Sequence, residues 1–229
     1  GGAEILWNGP QAETDIEGQK AIIESYINEK VSAIVMAATD AGALVDTVEK
    51  ADKAGIPVIM IDSGVDSEAP KTLVATDNEK GAAEAARKMN ELTGGKGVVG
   101  VIPFVKGART SDLREKGFTD ALKKYPGLKL GPVQYSDSKS DQAITVTENM
   151  LTGTPGLAGI FAANEPGAIG AAQALESRGK AGKVKLVAFD ASTAEIEALQ
   201  KGSIQALIVQ NPYQMGYQGV KAALAVLKG

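Results

Sequence analysis

Short apolar runs alternate with amphipathic stretches along most of the chain. Residues 186–189, Leu-Val-Ala-Phe, have no polar position that could face water, so they predict a strand covered on both faces. The run Ser192-Thr193-Ala194-Glu195 is a capping box, which predicts the start of the next helix. Asp190 lies between the two, where the strand leaves the sheet. In open α/β sheets ligands bind outside the carboxyl ends of the strands, so Asp190 is a candidate binding residue.

The same alternation extends over the whole sequence. It predicts helices over most of the intervening segments and strands at residues 4–8, 31–37, 58–61, 73–76, 98–102, 129–135, 160–163, 184–189 and 204–209. Among the helix starts, Thr14-Asp15-Ile16-Glu17 forms a second capping box, and Thr39-Asp40 opens a helix that Gly55 closes. Strict alternation predicts right-handed crossovers and mostly parallel sheets. The number of strands favours two doubly wound domains over a closed eight-stranded barrel, whose strands are more evenly spaced.

Composition excludes several kinds of catalytic and metal chemistry but says little about the fold. The net charge of −4 gives no electrostatic footprint for nucleic acid, and the longest apolar runs are too short to span a membrane. The 229 residues include no Cys and no His. Thiolate nucleophiles, Ser-His-Asp triads and His-ligated zinc are therefore excluded. An enzyme would have to rest on carboxylates, Lys or Tyr, so we expect a protein without catalytic residues, metal or cofactor.

One glycine motif has a nucleotide-binding pattern in the wrong place. Residues 95–100 match G-x-G-x-x-G literally, but they precede a predicted strand instead of following one. The dinucleotide fingerprint requires the glycines between a strand and the helix after it. This motif therefore predicts a helix-to-strand turn.

Planar polar side chains recur at the predicted strand ends. They are Asp62, Asn164, Asp190 and Gln210, with Arg114 in the first turns of a helix. Each alone is also explained as a turn residue, a helix cap, a hinge residue or a solvated charge. Together they favour binding of adjacent hydroxyls, because each presents paired polar atoms in a plane. Phe189 or Phe104 could cover the apolar face of a sugar ring, although core packing explains Phe189 equally well.

These residues lie in phrases that resemble a known family over the whole chain. The sequence resembles type I periplasmic sugar-binding proteins, the substrate-binding components of ABC sugar importers, and is most similar to ribose-binding proteins. Each phrase is short, and their order and spacing together are specific. The matching phrases are residues 56–62 (IPVIMID), 75–78 (ATDN), 113–118 (LREKGF), 159–165 (GIFAANE), 187–190 (VAFD) and 209–213 (VQNPY).

The resemblance implies a two-lobed architecture. Two doubly wound parallel-sheet lobes would be joined by hinge strands near residues 76–77 and 210–211. The N-terminal lobe would hold residues 1–76 and 211–229, and the C-terminal lobe residues 77–210. The first βα unit and the C-terminal strand of the family are expected to be absent from these 229 residues.

The resemblance also assigns a binding site. It implies that the sugar hydroxyls are contacted by Asp62, Arg114, Asn164, Asp190 and Gln210, with Phe189 beside the ring. Ser63 stands where ribose binders carry a second arginine, and is counted with the site. Ser138 stands where they carry an aromatic residue. These two departures put ribose itself in doubt as the ligand.

The expected function is capture of a monosaccharide or related polyol between two closing lobes, and its delivery to an ABC transporter permease. Such a protein would be a monomer without nucleic-acid partners, and periplasmic or extracellular, with a lipid anchor in a Gram-positive organism. The segment 1–4 lacks signal-peptide features, so a signal peptide would lie outside this sequence. The alternative is the effector-binding core of a lactose-repressor-type transcription regulator, which has the same fold. Residues 209–219 resemble the transport receptors more closely.

Overall fold

Every pairing between the named strands is parallel, and the strands form two separate sheets. The computed structural model describes residues 3–229. Its helices are α1 Ile16–Asn28, α2 Val45–Lys53, α3 Asn78–Leu92, α4 Arg109–Leu122, α5 Ser140–Gly153, α6 Glu165–Ser177, α7 Thr193–Lys201 and α8 Pro212–Val226. Its strands are β1 Ile34–Met36, β2 Val58–Ile61, β3 Thr72–Val74, β4 Gly97–Ile102, β5 Leu128–Val133, β6 Leu157–Ala162, β7 Lys185–Phe189 and β8 Ala206–Ile208.

The chain forms two compact units. The first contains the described residues up to Ala75, the short segment Gly107–Arg109, and Pro212–Gly229. The second contains Thr76–Lys106 and Thr110–Asn211. The predicted lobe boundaries placed residues 107–109 in the C-terminal lobe.

The first unit is built on the sheet β1-β2-β3. Ile34, Met36 and Met60 point to a core that Val48 of α2 and Ile23 of α1 complete. Helix α8 packs against this sheet as well. A Cβ at its Gly219 would lie 2.4 Å from Cγ2 of Ile61, so only a glycine allows this close approach.

The second unit has the strand order β5-β4-β6-β7-β8, with helices on both faces. Helices α5 and α6 cover one face through Val146, Met150 and Leu175. On the other face, the ring of Phe118 from α4 stacks on Phe161 of β6 at 4.4 Å. The doubly wound α/β prediction is confirmed, and the two open sheets rule out the closed barrel.

Local signals for several element ends are confirmed. Ser192 and Glu195 exchange both hydrogen bonds of the predicted capping box at the start of α7. Strand β4 begins at Gly97, which has a φ of 109°, so the glycine motif is a helix-to-strand turn as predicted. The cap of α1 is Asp15, whose carboxylate accepts from the Gly18 N–H, and not Thr14.

One predicted strand is wrong, and one predicted helix begins later than expected. The strand predicted at residues 4–8 is absent, since this segment pairs with no strand among residues 3–229 and leaves Trp7 91% exposed. The helix predicted from Thr39-Asp40 begins only at Val45. The cause is Asp40, whose Oδ1 accepts from the backbone N–H groups of Gly42 and Ala43 and holds a turn there.

Candidate functional site

The sheet of the second unit reverses its strand order between β4 and β6. From β4 the chain runs through α4 to β5, and from β6 it runs through α6 to β7, on the opposite side. Ligands of open α/β sheets bind outside the strand ends at such a switch point. Arg114 of α4 and Asn164 after β6 both belong to this region. Nη1 of Arg114 donates to the Ala163 carbonyl at 2.8 Å, so the two sides of the switch point are joined here.

Arg114 is almost completely buried, at 3% exposed. Its Nε donates to Oδ1 of Asn78 at 2.8 Å. Its guanidinium carbon lies 4.2 Å from the ring centre of Phe189 and 5.7 Å from that of Phe104. A buried charge is tolerated only when such acceptors and ring faces replace water. These contacts give the guanidinium one defined orientation.

Asn164 has two roles within the unit. It caps α6, because its Oδ1 accepts from the Gly167 N–H at 3.1 Å. Its Nδ2 donates to Oγ of Ser138 at 2.8 Å. The interpretation of Asn164 as a helix cap is therefore correct, and its amide also reaches the loop after β5.

Asp190 and Gln210 are hydrogen-bonded to each other at the ends of β7 and β8. Nε2 of Gln210 donates to Oδ1 of Asp190 at 2.6 Å, and Oε1 of Gln210 accepts from Oγ1 of Thr76 at 2.7 Å. Oδ2 of Asp190 accepts from the backbone N–H of Glu165, the first residue of α6, at 3.1 Å. The positive end of the helix dipole thus stabilises the Asp190 carboxylate.

Most left-handed backbone conformations outside glycine occur in the segments that follow strands. Among the described residues, five that are not glycine have a positive φ, and four of them are Asp62, Asp137, Ser138 and Asp190. These four follow β2, β5 and β7. Each such conformation costs roughly 1–3 kcal/mol outside glycine, and it persists where surrounding contacts impose it. Strain of this kind is typical of binding sites.

Glu195 is a buried carboxyl close to the site. It is fully buried, Oε2 accepts from the Ser192 N–H, and Oε1 has no hydrogen-bond partner among the described residues. Burial raises the pKa of Glu195 to about 7, and the negative charges of Asp190 and Glu165 add to the rise. The sequence pattern identified its capping role but not its burial.

Phe189 lies beneath Arg114 and has no exposed surface. Its ring meets Phe161 edge-on at 6.1 Å between centroids. The structure thus shows the core-packing role of Phe189. Its contact with a sugar ring stays a prediction.

Asp62 and Ser63 belong to the first unit, at the end of β2. Asp62 has a φ of 55°, and its N–H donates to the Val74 carbonyl at 2.9 Å. Ser63 is 4% exposed, and its Oγ has no hydrogen-bond partner in the described part of the chain. A buried hydroxyl left unpaired is destabilising and would be satisfied by a ligand group. Their contact with a ligand stays a prediction.

Thr76 and Asn78, which hydrogen-bond to Gln210 and Arg114, were not predicted as residues of the site. Both lie in the phrase 75–78 that carried the family resemblance, which was the available signal.

Within residues 3–229 there is no group of three or more acidic side chains suited to a metal ion. None of the helices described there has the length and apolarity needed to cross a membrane.

Comparison with known proteins agrees with this geometry. The family described as periplasmic binding protein domain matches residues 1–229. The D-ribose/D-allose-binding protein of Pseudomonas aeruginosa is 32% identical over 99% of this chain and 72% of its own length.

Two solved structures are more similar in sequence. An ABC transporter solute-binding protein from Agrobacterium vitis with bound D-fucose has a TM-score of 0.95 and 38% identity, over 98% of this chain and 79% of that one. A carbohydrate transporter solute-binding protein from Agrobacterium radiobacter in complex with D-arabinose has a TM-score of 0.92 and 40% identity, over 96% and 77%. The resemblance seen in the sequence is therefore confirmed: this chain belongs to the periplasmic binding protein family, a family of binding proteins and not of enzymes.

Proposed function

We propose that this protein is the solute-binding component of an ABC importer and that it captures a monosaccharide or a related polyol. One observation carries the proposal: Arg114, Asp190 and Gln210 are held by hydrogen bonds at one end of one sheet. Such planar groups can grip adjacent hydroxyls. One relative is named for binding D-ribose and D-allose, and the two solved structures contain D-arabinose and D-fucose. These sugars point to the same class of ligand.

The ligand contacts are assigned by the family resemblance together with this placement. In the second unit they are Arg114, Asn164, Asp190 and Gln210, with Phe189 beside the sugar ring. The resemblance also assigns Asp62 and Ser63 of the first unit as ligand contacts. Charge-assisted hydrogen bonds contribute about 1.5–3 kcal/mol each, so a few of them suffice for micromolar binding. Part of that energy is offset by the lost freedom of the ligand.

The partner and location follow from the proposed role. The protein works as a monomer that delivers its ligand to the permease of the importer. It acts outside the cytoplasmic membrane, in the periplasm or at the cell surface. The named relatives are solute- or sugar-binding proteins, which favours this role over the core of a transcription regulator.

The experiment is calorimetric titration with D-ribose, D-allose, D-arabinose, D-fucose and xylitol. The wild type is compared with Asp190→Ala and with Asp120→Ala, which removes an exposed carboxylate of α4. We expect micromolar or tighter binding of at least one sugar by the wild type and Asp120→Ala, and a loss of at least tenfold in Asp190→Ala, as expected for one charge-assisted hydrogen bond.

Native mass spectrometry of the purified protein extends the search to ligands outside this panel. If neither the panel nor a co-purified molecule yields a bound sugar or polyol, the proposed function is wrong. If Asp190→Ala binds as well as the wild type, the assignment of Asp190 is wrong. Turnover of a bound sugar would contradict the binding-protein role.

A further inference from the structure

The side chain of Asn78 is buried at the first position of α3. The helix does not need this side chain as a cap, because another residue caps it. The cap of α3 is Asp77, whose carboxylate accepts from the Lys80 N–H. Asn78 is only 3% exposed. An amide is unfavourable in such a place unless both of its ends are hydrogen-bonded. The burial of Asn78 therefore calls for a tertiary role.

The two ends of the Asn78 amide have different partners. Oδ1 accepts from Nε of Arg114 at 2.8 Å, and Nδ2 donates to the Thr76 carbonyl at 3.0 Å. Arg114 lies 36 positions further along the chain, so the first contact depends on how α3 and α4 pack. Asn78 thus connects the backbone before α3 to the guanidinium on α4.

A glycine allows the two helices to approach closely enough for this contact. A Cβ at Gly117 would lie 2.5 Å from the carbonyl oxygen of Glu79. Gly117 follows Arg114 by one helical turn, and Glu79 adjoins Asn78. The close backbone approach places the two polar side chains within hydrogen-bond distance.

The network continues from Thr76 to the other predicted ligand contacts. While its carbonyl accepts from Asn78, the Thr76 hydroxyl donates to Oε1 of Gln210 at 2.7 Å. The other end of Gln210 donates to Asp190 at 2.6 Å. A continuous set of hydrogen bonds therefore runs from Arg114 through Asn78 and Thr76 to Gln210 and Asp190.

We propose that Asn78 is a positioning residue of the sugar site, which fixes the guanidinium of Arg114 and ties it through Thr76 to Gln210 and Asp190. The inference rests on the proposed function. Asn78 accepts from Nε as a neutral amide, so it orients Arg114 without neutralising its charge. A side chain held in its binding orientation loses less freedom when the ligand arrives.

The test compares Asn78→Ala with Asn78→Asp and with Asn90→Ala, a matched change near the opposite end of α3. The affinity for the sugar that binds the wild type best is measured by calorimetry. We expect Asn78→Ala to bind roughly tenfold to hundredfold more weakly, as for loss of one hydrogen bond to a charged group. Asn78→Asp recovers part of the loss because a carboxylate still accepts from Nε. Asn90→Ala binds like the wild type.

Two further readouts separate positioning from a general effect on stability. Ile160→Val, a core change in β6, lowers the melting temperature and leaves the affinity unchanged. In ¹⁵N-labelled protein without sugar, the Arg114 Nε–H is protected from hydrogen exchange, and Asn78→Ala removes that protection. If Asn78→Ala does not fold, Asn78→Leu conserves the volume without the acceptor.

Binding by Asn78→Ala within twofold of the wild type would overturn the inference while leaving the proposed function intact. Unchanged exchange protection of Arg114 would also overturn it. A wild type that binds no sugar would defeat the proposed function instead. In that case the exchange experiment still decides whether Asn78 holds Arg114.

Discussion

Gln210 donates from Nε2 to Oδ1 of Asp190 across 2.6 Å, so these two predicted ligand contacts form one hydrogen-bonded pair. The pair predicts that mutations in the two residues are not additive. Asp190→Asn should weaken sugar binding about tenfold or more, because a charge-assisted acceptor is lost. Asn adopts left-handed backbone readily, so the melting temperature should change little.

The coupling is measured with Asp190→Asn, Gln210→Ala and the double variant in calorimetric titrations. The double variant should lose less binding free energy than the sum of the single variants, by about 0.5–3 kcal/mol. Strictly additive losses would show that the pair does not act as a unit.

Asn164→Asp should separate helix capping from ligand binding. The carboxylate still accepts from the Gly167 N–H and so caps α6, but it cannot donate to Ser138 as Nδ2 does. We expect the free energy of unfolding to stay within about 1 kcal/mol of the wild type, because Asp and Asn are comparable caps. The sugar affinity should fall. Urea unfolding measures the stability and calorimetry the sugar affinity, on the same preparations. A loss of stability without a loss of affinity would contradict the assignment of Asn164 as a ligand contact.

The buried carboxyl of Glu195 predicts a pH-dependent stability. Its pKa is about 7 in the folded protein and has an ordinary value of 4.5. Between these values the folded state binds more protons than the unfolded state, so this group lowers the stability as the pH rises from 4.5 to 7. Glu195→Gln removes the titration and keeps an acceptor for the Ser192 N–H.

Urea unfolding at pH 5 and pH 8 measures the effect. The free energy of unfolding of Glu195→Gln, relative to the wild type, should rise by about 1–3 kcal/mol between the two pH values. A difference that is the same at both pH values would mean that Glu195 titrates normally.

Gly117→Ala should destabilise the second unit, because the new methyl group would meet the backbone of Glu79 on α3. We expect a loss of about 1–3 kcal/mol in the free energy of unfolding, and weaker sugar binding because α4 carries Arg114. Gly153→Ala is the matched control, since a Cβ at Gly153 meets no atom within 4 Å. The control should be neutral or more stable by up to about 1 kcal/mol. Equal losses in both variants would contradict the packing argument.

Much of the fold could be predicted because its signals are local. The capping box of Ser192 and Glu195 involves residues three positions apart, and both of its hydrogen bonds form. The apolar run before Asp190 forms β7. By contrast, residues 4–8 have strand-forming side chains but no strand to pair with in the described structure. A ladder depends on a partner, which local propensity does not reveal.

The site was predictable in outline but not in its internal contacts. Asp190 and Asn164 follow apolar runs directly, so their position at strand ends could be predicted from the pattern. The contact of Arg114 with Asn78 depends on the packing of two helices, which the sequence pattern does not predict. The burial of Glu195 was not predicted either, because it also depends on tertiary packing. Its charged side chain at the start of a helix is typical of an exposed position.

The left-handed conformations of Asp137, Ser138 and Asp190 also bear on laboratory evolution of this protein. Glycine adopts a left-handed conformation without strain, so it would remove the backbone strain at these positions. A screen for heat resistance alone should therefore enrich glycine there. At Asp190, a proposed ligand contact, a variant selected in this way would survive higher temperatures and bind sugar more weakly. A thermostable biosensor derived from this chain should therefore be selected for ligand response and heat resistance together.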